Sequence, residues 1–245
     1  MGELSGKVAI VTGSSSGIGE STAHRLAELG AHVVVNSSSS VEAGRKVAAS
    51  LVTKGAYIQA DISDQAQGRR LIDETVDTFG RLDILVNNAG WTTLVPHGDL
   101  DGLTDEIFDK TFKVNVYGTW WLTKAAIPHL RESSDGNVVN ITSIAGVRPV
   151  GSSMAYAMTK AALNHMTVLM AKSYGPIRFN AVAPGLVQTP WTQDWGAMHD
   201  FVSKSSPLKR SAYASDCSEA VLGIVRNPHM TGQVLVIDGG FTLVS

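Results

Sequence analysis

The sequence predicts an α/β fold, a Rossmann-type doubly wound parallel sheet of about seven strands in a single domain. Three observations carry this expectation. Short runs rich in Val and Ile alternate along the chain with longer segments of helical periodicity. Most of the short runs are apolar throughout, the pattern of strands covered on both faces. Nearly every run ends in small or polar residues, and in an open α/β sheet such ends gather along one rim, where ligands bind.

The strand-like runs are residues 8–11, 33–35, 57–59, 84–86, 137–141, 178–182 and 233–237. Helical patterns occupy 19–29, 41–54, 65–79, 105–130, 155–174 and 215–225. The serine run 37–40 follows the second strand at once and reads as a loop. No linker, repeat or low-complexity stretch divides the chain, so residues 1–245 are expected to form one domain. With 44% apolar and 17% charged residues, the chain can bury a full core and is not a disordered segment. A formal net charge of -2 gives no basic track for nucleic acid. The single cysteine, Cys217, allows no internal disulfide. The polar start shows no signal peptide, and no apolar run is long enough for a bilayer; a cytoplasmic protein with no membrane partner is expected. No cluster of His, Cys and carboxylates has metal-site spacing.

The first strand runs into Thr12-Gly13-Ser14-Ser15-Ser16-Gly17-Ile18-Gly19, which opens the first helix. Glycines let a backbone approach a ligand closely, and the helix start offers free N–H groups and a partial positive charge to a pyrophosphate. The spacing is Gly-x-x-x-Gly-x-Gly, and no Lys-Ser/Thr pair follows as in a P-loop. Farther on, Tyr156 and Lys160 stand four apart, one turn on one helix face. A free phenol, with a pKa of about 10, exchanges protons poorly near neutrality. A nearby ammonium, and the charge of an oxidised nicotinamide, are expected to favour its phenolate. Ser143, just past the fifth strand, can hold a substrate oxygen and stabilise developing charge.

Together these residues resemble the short-chain dehydrogenase/reductase family, in its compact single-domain branch, over essentially the whole length. Gly13, Ser15, Ser16, Gly17, Ile18 and Gly19 match its cofactor turn, Asp61 and Ile62 its adenine contact, and Asn88-Ala89-Gly90 its fourth-strand motif. Asn115, Ser143, Tyr156 and Lys160 match its catalytic tetrad in order. Pro184, Gly185, Val187 and Thr189 match its nicotinamide segment, and Asp238-Gly239-Gly240 its last strand. The resemblance implies an NAD(P)-dependent oxidoreductase that moves hydride between a nicotinamide and a carbonyl or alcohol, with Tyr156 as proton donor or acceptor. It further implies that Lys160 bonds the nicotinamide ribose, that Asn115 positions a proton-relaying water, and that the protein is a homotetramer. Residues 105–130 and 155–174, carrying Trp120-Trp121 and Met166–Met170, would then pack on symmetry mates. Among relatives the general flavour is that of 3-oxoacyl-carrier-protein reductases. Enoyl reductases of the superfamily separate tyrosine and lysine by six positions, unlike this chain.

An acidic residue at the end of the second strand would favour NAD by bonding the ribose 2′-OH and repelling a 2′-phosphate. Here stand Asn36, Ser37 and Ser38, neutral donors able to cradle a phosphate, so NADP(H) is expected over NAD(H). The substrate loop is placed at about 188–210. Its Trp191 and Trp195, with Trp91 across the cleft beside Ser143 and Tyr156, suit an apolar or ring-bearing small molecule. His97 is a further candidate for that opposite wall. The competing reading is a catalytically silent, NADP-binding regulatory or interaction protein on the same fold. The short turns at 174–178 and 226–230 are expected to affect packing or assembly.

Overall fold

The computed structural model describes residues 2–244. In chain order the elements are β1 (Val8–Val11), α1 (Gly17–Glu28), β2 (His32–Ser37), α2 (Val41–Ser50), β3 (Gly55–Gln59), α3 (Gln65–Phe79), β4 (Ile84–Asn87) and α4 (Asp105–Phe112). A π-helical stretch, Lys113–Gly118, leads into α5 (Thr119–Glu132). Then follow β5 (Asn137–Ile141), α6 (Met154–Ser173), β6 (Arg178–Pro184), β7 (Val187–Gln188), α7 (Gly196–Ser205), β8 (Ala212–Tyr213), α8 (Ala214–Arg226) and β9 (Val234–Ile237).

Seven strands form one parallel sheet in the order β3-β2-β1-β4-β5-β6-β9. The chain steps outward from β1 in one direction, then returns and steps outward from β4 in the other. Right-handed crossovers place helices on both faces, and the reversal opens a crevice between the carboxyl ends of β1 and β4. The pleat divides the core. Ala9, Val11, Val33, Val35 and Val86 pack toward α1, α2 and α8, whereas Ile10, Val34, Leu85 and Val138 pack toward α3, α5 and α6. Among the described residues no helix is long and apolar enough to cross a membrane.

The third helix lies where its sequence signals put it. Asp64 caps it by accepting from the N–H groups of Ala66 and Gln67, and Gly80 ends it in the left-handed region at φ 77°. The helix expected over 41–54 stops at Ser50, because Leu51 is already extended and Gly55 begins β3. The helix expected over 105–130 is interrupted by the π-helical stretch, which contains Asn115. The two-residue pairing of β7 with β8 is too short to leave a periodicity. The two short turns meet at Arg178, whose buried guanidinium donates to the carbonyls of Ile224, Val225 and Asn227 and pairs with Asp135. It thereby satisfies the Val225 and Asn227 carbonyls at the end of α8 and adds a second donor to that of Ile224, which also accepts from the Asn227 N–H at 3.3 Å.

At the amino ends of the strands, Asp83 is almost fully buried. It accepts from the Val8 N–H at 2.9 Å, from Arg81 at 2.6 and 2.8 Å, from Ser133 at 2.5 Å and from Lys7 at 3.4 Å. Burial works to raise its pKa, but the Arg81 and Ser133 hydrogen bonds, the Val8 N–H and the Lys7 charge outweigh it and hold the carboxyl below its usual range.

Candidate active site

At the opposite rim the glycine turn is built around close approach. Gly13 has φ +60°, and a Cβ there would lie 2.9 Å from Ala89 Cα. A Cβ on Gly19 would lie 2.5 Å from the Gly13 carbonyl oxygen, so only glycine lets α1 close onto the turn. Gly19 shapes the turn from within and is not on the cavity wall, unlike the ligand contact that the sequence suggested. Ser16 caps α1 in extended geometry, yet its hydroxyl makes no capping bond. The first N–H groups of the helix therefore lack a side-chain acceptor beside the cavity that Ser15, Ser16, Gly17 and Ile18 line.

Neighbouring strand ends lock this turn. Thr12 Oγ1 accepts from the N–H groups of Asn88 and Ala89, each at 3.0 Å. The Asn88 amide donates back to the carbonyls of Thr12 and Gly13 at 2.8 and 3.0 Å. Asn36 is buried and fully committed. Its amide donates to the carbonyls of Ile58 and Ala60, both at 3.1 Å, and its Oδ1 accepts from the Gly13 N–H at 3.4 Å. Asn36 borders the cavity but has no spare donor, which corrects the reading of it as a phosphate cradle. The Ser37 hydroxyl is likewise paired with Tyr57 at 2.9 Å. Ser38 is exposed on the wall, and its side chain enters no protein hydrogen bond.

The cavity measures about 1100 Å³ and follows the rim from β2 to the segment after β6. Its far wall carries Asp61 and Ile62, its floor Ala89 and Gly90, and its other flank Pro184, Gly185, Val187 and Thr189. Trp91, Trp191 and Trp195 close one end together with Met198, Val150 and Phe241. The sequence reading missed Val150, Ser152, Phe241 and Lys110. Phe241 reaches the site because Asp238 accepts from the N–H groups of Gly240 and Thr242 and turns the chain back after β9. Lys110 stands 4.2 Å over the Trp91 ring.

Ser143, Tyr156 and Lys160 meet on this wall. Ser143 follows β5 and accepts from the Ala145 N–H at 3.1 Å, which fixes its rotamer. Its hydroxyl lies near that of Tyr156 and favours the phenolate. Tyr156 and Lys160 project from the first two turns of α6, which Ser153 caps by accepting from the Tyr156 N–H. Lys160 Nζ lies 5.4 Å from the centre of the Tyr156 ring and donates to the Ile141 carbonyl at 2.9 Å. Asn115 is brought close but lies behind the wall. Its Oδ1 accepts from the Trp91 N–H at 2.7 Å, and its amide donates to the Trp91 carbonyl and to Thr159. Its side chain thus fixes Trp91 and Gly90 and leaves no free group for the cavity.

A family profile described as enoyl-(acyl carrier protein) reductase matches residues 13–242. The chain is 51% identical over 241 residues to the protein of Streptomyces violaceoruber assigned as ketoacyl reductase 2 of the granaticin polyketide synthase, covering 97% of this chain and 96% of that one. It superposes with TM-score 0.92 on the 3-ketoacyl-(acyl-carrier-protein) reductase of Brucella melitensis complexed with NADH, at 31% identity over 98% of this chain and 100% of that one. With a short-chain dehydrogenase of Burkholderia cenocepacia in complex with NADP, the TM-score is 0.91 at 36% identity, over 98% of this chain and 99% of that one.

The chain belongs to the short-chain dehydrogenase/reductase family. It is an NAD(P)-dependent oxidoreductase acting between C=O and CH–OH. In this short-chain reductase, burial governs both ionisable groups of the triad. Desolvation pushes the Tyr156 phenol up to about 12, against a smaller lowering by the nearby Ser143 hydroxyl. Desolvation likewise pulls the Lys160 ammonium down to about 8. The expected lowering of the tyrosine by its lysine is therefore not met in the chain alone, because both groups leave water together and the charged form of each is penalised.

Proposed function

We propose that this reductase runs toward the alcohol, with Tyr156 giving its proton to the substrate oxygen, Ser143 holding that oxygen and Lys160 holding the dinucleotide. The observation that carries the reading is the meeting of the three side chains on the wall of the same cavity as the uncapped start of α1. The residues present fit a dinucleotide: the close-approach glycine turn, the free N–H groups of α1 and the Asp61 and Ile62 wall lie along one crevice. When bound, the nicotinamide supplies the hydride, and its oxidised ring supplies a positive charge.

The chain's own part is proton placement. A phenol pushed up to about 12 stays protonated throughout the working range. An alkoxide forming on the substrate is a stronger base even than this phenolate, so transfer from Tyr156 runs downhill. Oxidation would need the phenolate, which burial opposes and the positive charge of an oxidised nicotinamide would favour. The Ser143 hydroxyl, fixed by the Ala145 N–H, meets the developing oxyanion without having to reorient. Asn115 acts as a positioning residue, holding the Trp91 backbone against the reacting end.

NADP(H) is the preferred dinucleotide in this reading. No carboxylate stands at the end of β2, and the exposed Ser38 can receive a 2′-phosphate where Asn36 cannot. The substrate is an apolar or ring-bearing ketone held by Trp91, Trp191 and Trp195 beneath residues 188–210. The polyketide-synthase assignment of the 51% identical relative supports a 3-oxoacyl compound. Carbonyl rather than enoyl reduction is favoured by the four-residue Tyr156–Lys160 spacing. We read the protein as a cytoplasmic homotetramer. Tyr117, Trp120, Val168 and Leu169 leave exposed apolar surface on the Lys113–Gly118 stretch, α5 and α6, whereas Met170 is buried and Met166 packs into the core. Nicotinamide absorbance with a ketone panel tests the reading. Ketone-dependent oxidation with kcat/KM higher for NADPH than NADH is expected; no turnover of any ketone, or a clear NADH preference, contradicts it.

A further inference from the structure

The segment that closes the substrate end leaves β7, returns at β8 and carries α7 between them, with Met198, Phe201 and Val202 of α7 on the cavity wall. This helix is thinly held. Val202 is buried against Ile144 and Phe241, whereas Met198 and Phe201 are exposed. Among the described residues, no side chain of α7 except that of His199 hydrogen-bonds outside the helix.

The His199 imidazole ties the two ends of the segment together. Its Nδ1 lies 2.8 Å from the Ser211 hydroxyl, and its Nε2 lies 3.2 Å from both the carbonyl and the hydroxyl oxygen of Thr192. The Thr192 carbonyl can only accept, and the Thr192 hydroxyl already donates to the Val187 carbonyl at 2.6 Å. Nε2 therefore carries the proton, and Nδ1 accepts from the Ser211 hydroxyl. Both anchors are buried and fixed from outside the segment. Thr192 is held to β7 through Val187, and the Ser211 carbonyl accepts from Arg210, which pairs with Asp216 of α8. The Trp195 N–H donates to the Thr192 carbonyl and the His199 N–H to the Trp195 carbonyl, so the tryptophan wall and α7 share this tie.

We infer that His199 is a positioning residue for the substrate: without lining the cavity itself, it sets α7 over the reacting end so that Met198, Phe201 and Val202 meet the ketone as a preformed wall. The inference rests on the ketone-reductase reading. A wall that must first be ordered takes its ordering out of substrate affinity, so loosening it raises KM and leaves proton transfer from Tyr156 unchanged.

The test measures KM and kcat for 2-tetralone and 2-nonanone with NADPH, and NADPH affinity by fluorescence titration, on the full chain. His199→Leu should raise the ketone KM by about tenfold, the worth of one net hydrogen bond. Its kcat and NADPH affinity should stay within about twofold of wild type. His199→Gln, whose amide N–H can reach Thr192, should restore part of the loss. Ser211→Ala should raise KM in the wild type but add nothing to His199→Leu, because both remove the same bond. Should His199→Leu not fold, Ser211→Ala and His199→Gln carry the same KM comparison. An unchanged KM in these variants, a loss of kcat and NADPH affinity alongside KM, or a full additional effect of Ser211→Ala on His199→Leu overturns the positioning role and leaves the reductase reading standing. A wild type that reduces neither ketone overturns both.

Discussion

At the amino rim of the sheet, Asp83 is enclosed by the Val8 N–H, Arg81, Ser133 and Lys7; at the carboxyl rim, the equally buried Lys160 donates to a single carbonyl, that of Ile141. The first carboxyl is held ionised against its own desolvation, whereas the second group has its charge penalised and its pKa drawn down to about 8. Arg178 repeats the amino-rim solution at the end of α8. The strands and their burial are much alike at both ends, so the difference lies in what the polar groups are left to do. One rim spends its polar groups on holding the fold; the other keeps an ammonium, a phenol and a helix start uncompensated for an incoming ligand.

The largest expected effect strikes the carboxyl rim alone. Tyr156→Phe should lower turnover by ~10²–10⁴-fold, the usual worth of a positioned proton donor, while a fluorescence titration finds dinucleotide affinity within a few-fold of wild type. Undiminished turnover would break the functional half of the comparison. Ser143→Ala should lose ~2–4 kcal/mol of transition-state stabilisation, seen as a ~30- to 900-fold fall in kcat/KM. At the amino rim the readout changes from rate to stability. Asp83→Ala should cost roughly 3 kcal/mol in denaturant unfolding, near the low end for a buried ion pair because Arg81 and Lys7 keep access to water. Activity per folded molecule should hold. Since the Asp83 pKa is depressed, its contribution is present above the unfolded carboxyl value of about 4 and is lost as pH falls through the lower folded value, so the gap to wild type should close in acid. The mildest effect is a pH profile: kcat/KM for the dinucleotide should decline as pH rises through about 8, where Lys160 loses its charge. A flat profile to pH 9 would remove the lysine charge from dinucleotide binding.

The sequence made this comparison only half legible. Periodicity placed β1, β5 and α3, because an uninterrupted apolar run or a capped amphipathic stretch is a local property. The glycine turn and the Tyr156–Lys160 pair were also legible, since their spacing is set within one turn or one helix. What the residues could not disclose was competition for their hydrogen bonds. Asn36 and Asn115 offer the same amide in sequence as on a cavity wall, but Ile58, Ala60 and Gly13 claim the first, and Trp91 and Thr159 the second. The tyrosine's burial was not legible for a similar reason: helical spacing reports the neighbouring lysine, whereas the desolvation that raises the phenol arises only when the folded chain closes around it. Asp83 and Arg178, the amino-rim anchors, gave no motif at all.

Lys160→Met puts both rims' logic into one protein. A lysine held near 8 instead of 10.5 costs roughly 3 kcal/mol below pH 8, and losing its bond to Ile141 returns about 1 kcal/mol of that. Stability in wild type should therefore rise between pH 8 and 10.5, where the unfolded chain holds the extra proton, and the variant should lack that rise. Denaturant unfolding at pH 7 with parallel turnover is the direct measurement. The account predicts a variant about 2 kcal/mol more stable than wild type and without measurable activity; a variant that is destabilised like Asp83→Ala, or one that still reduces a ketone, would contradict it.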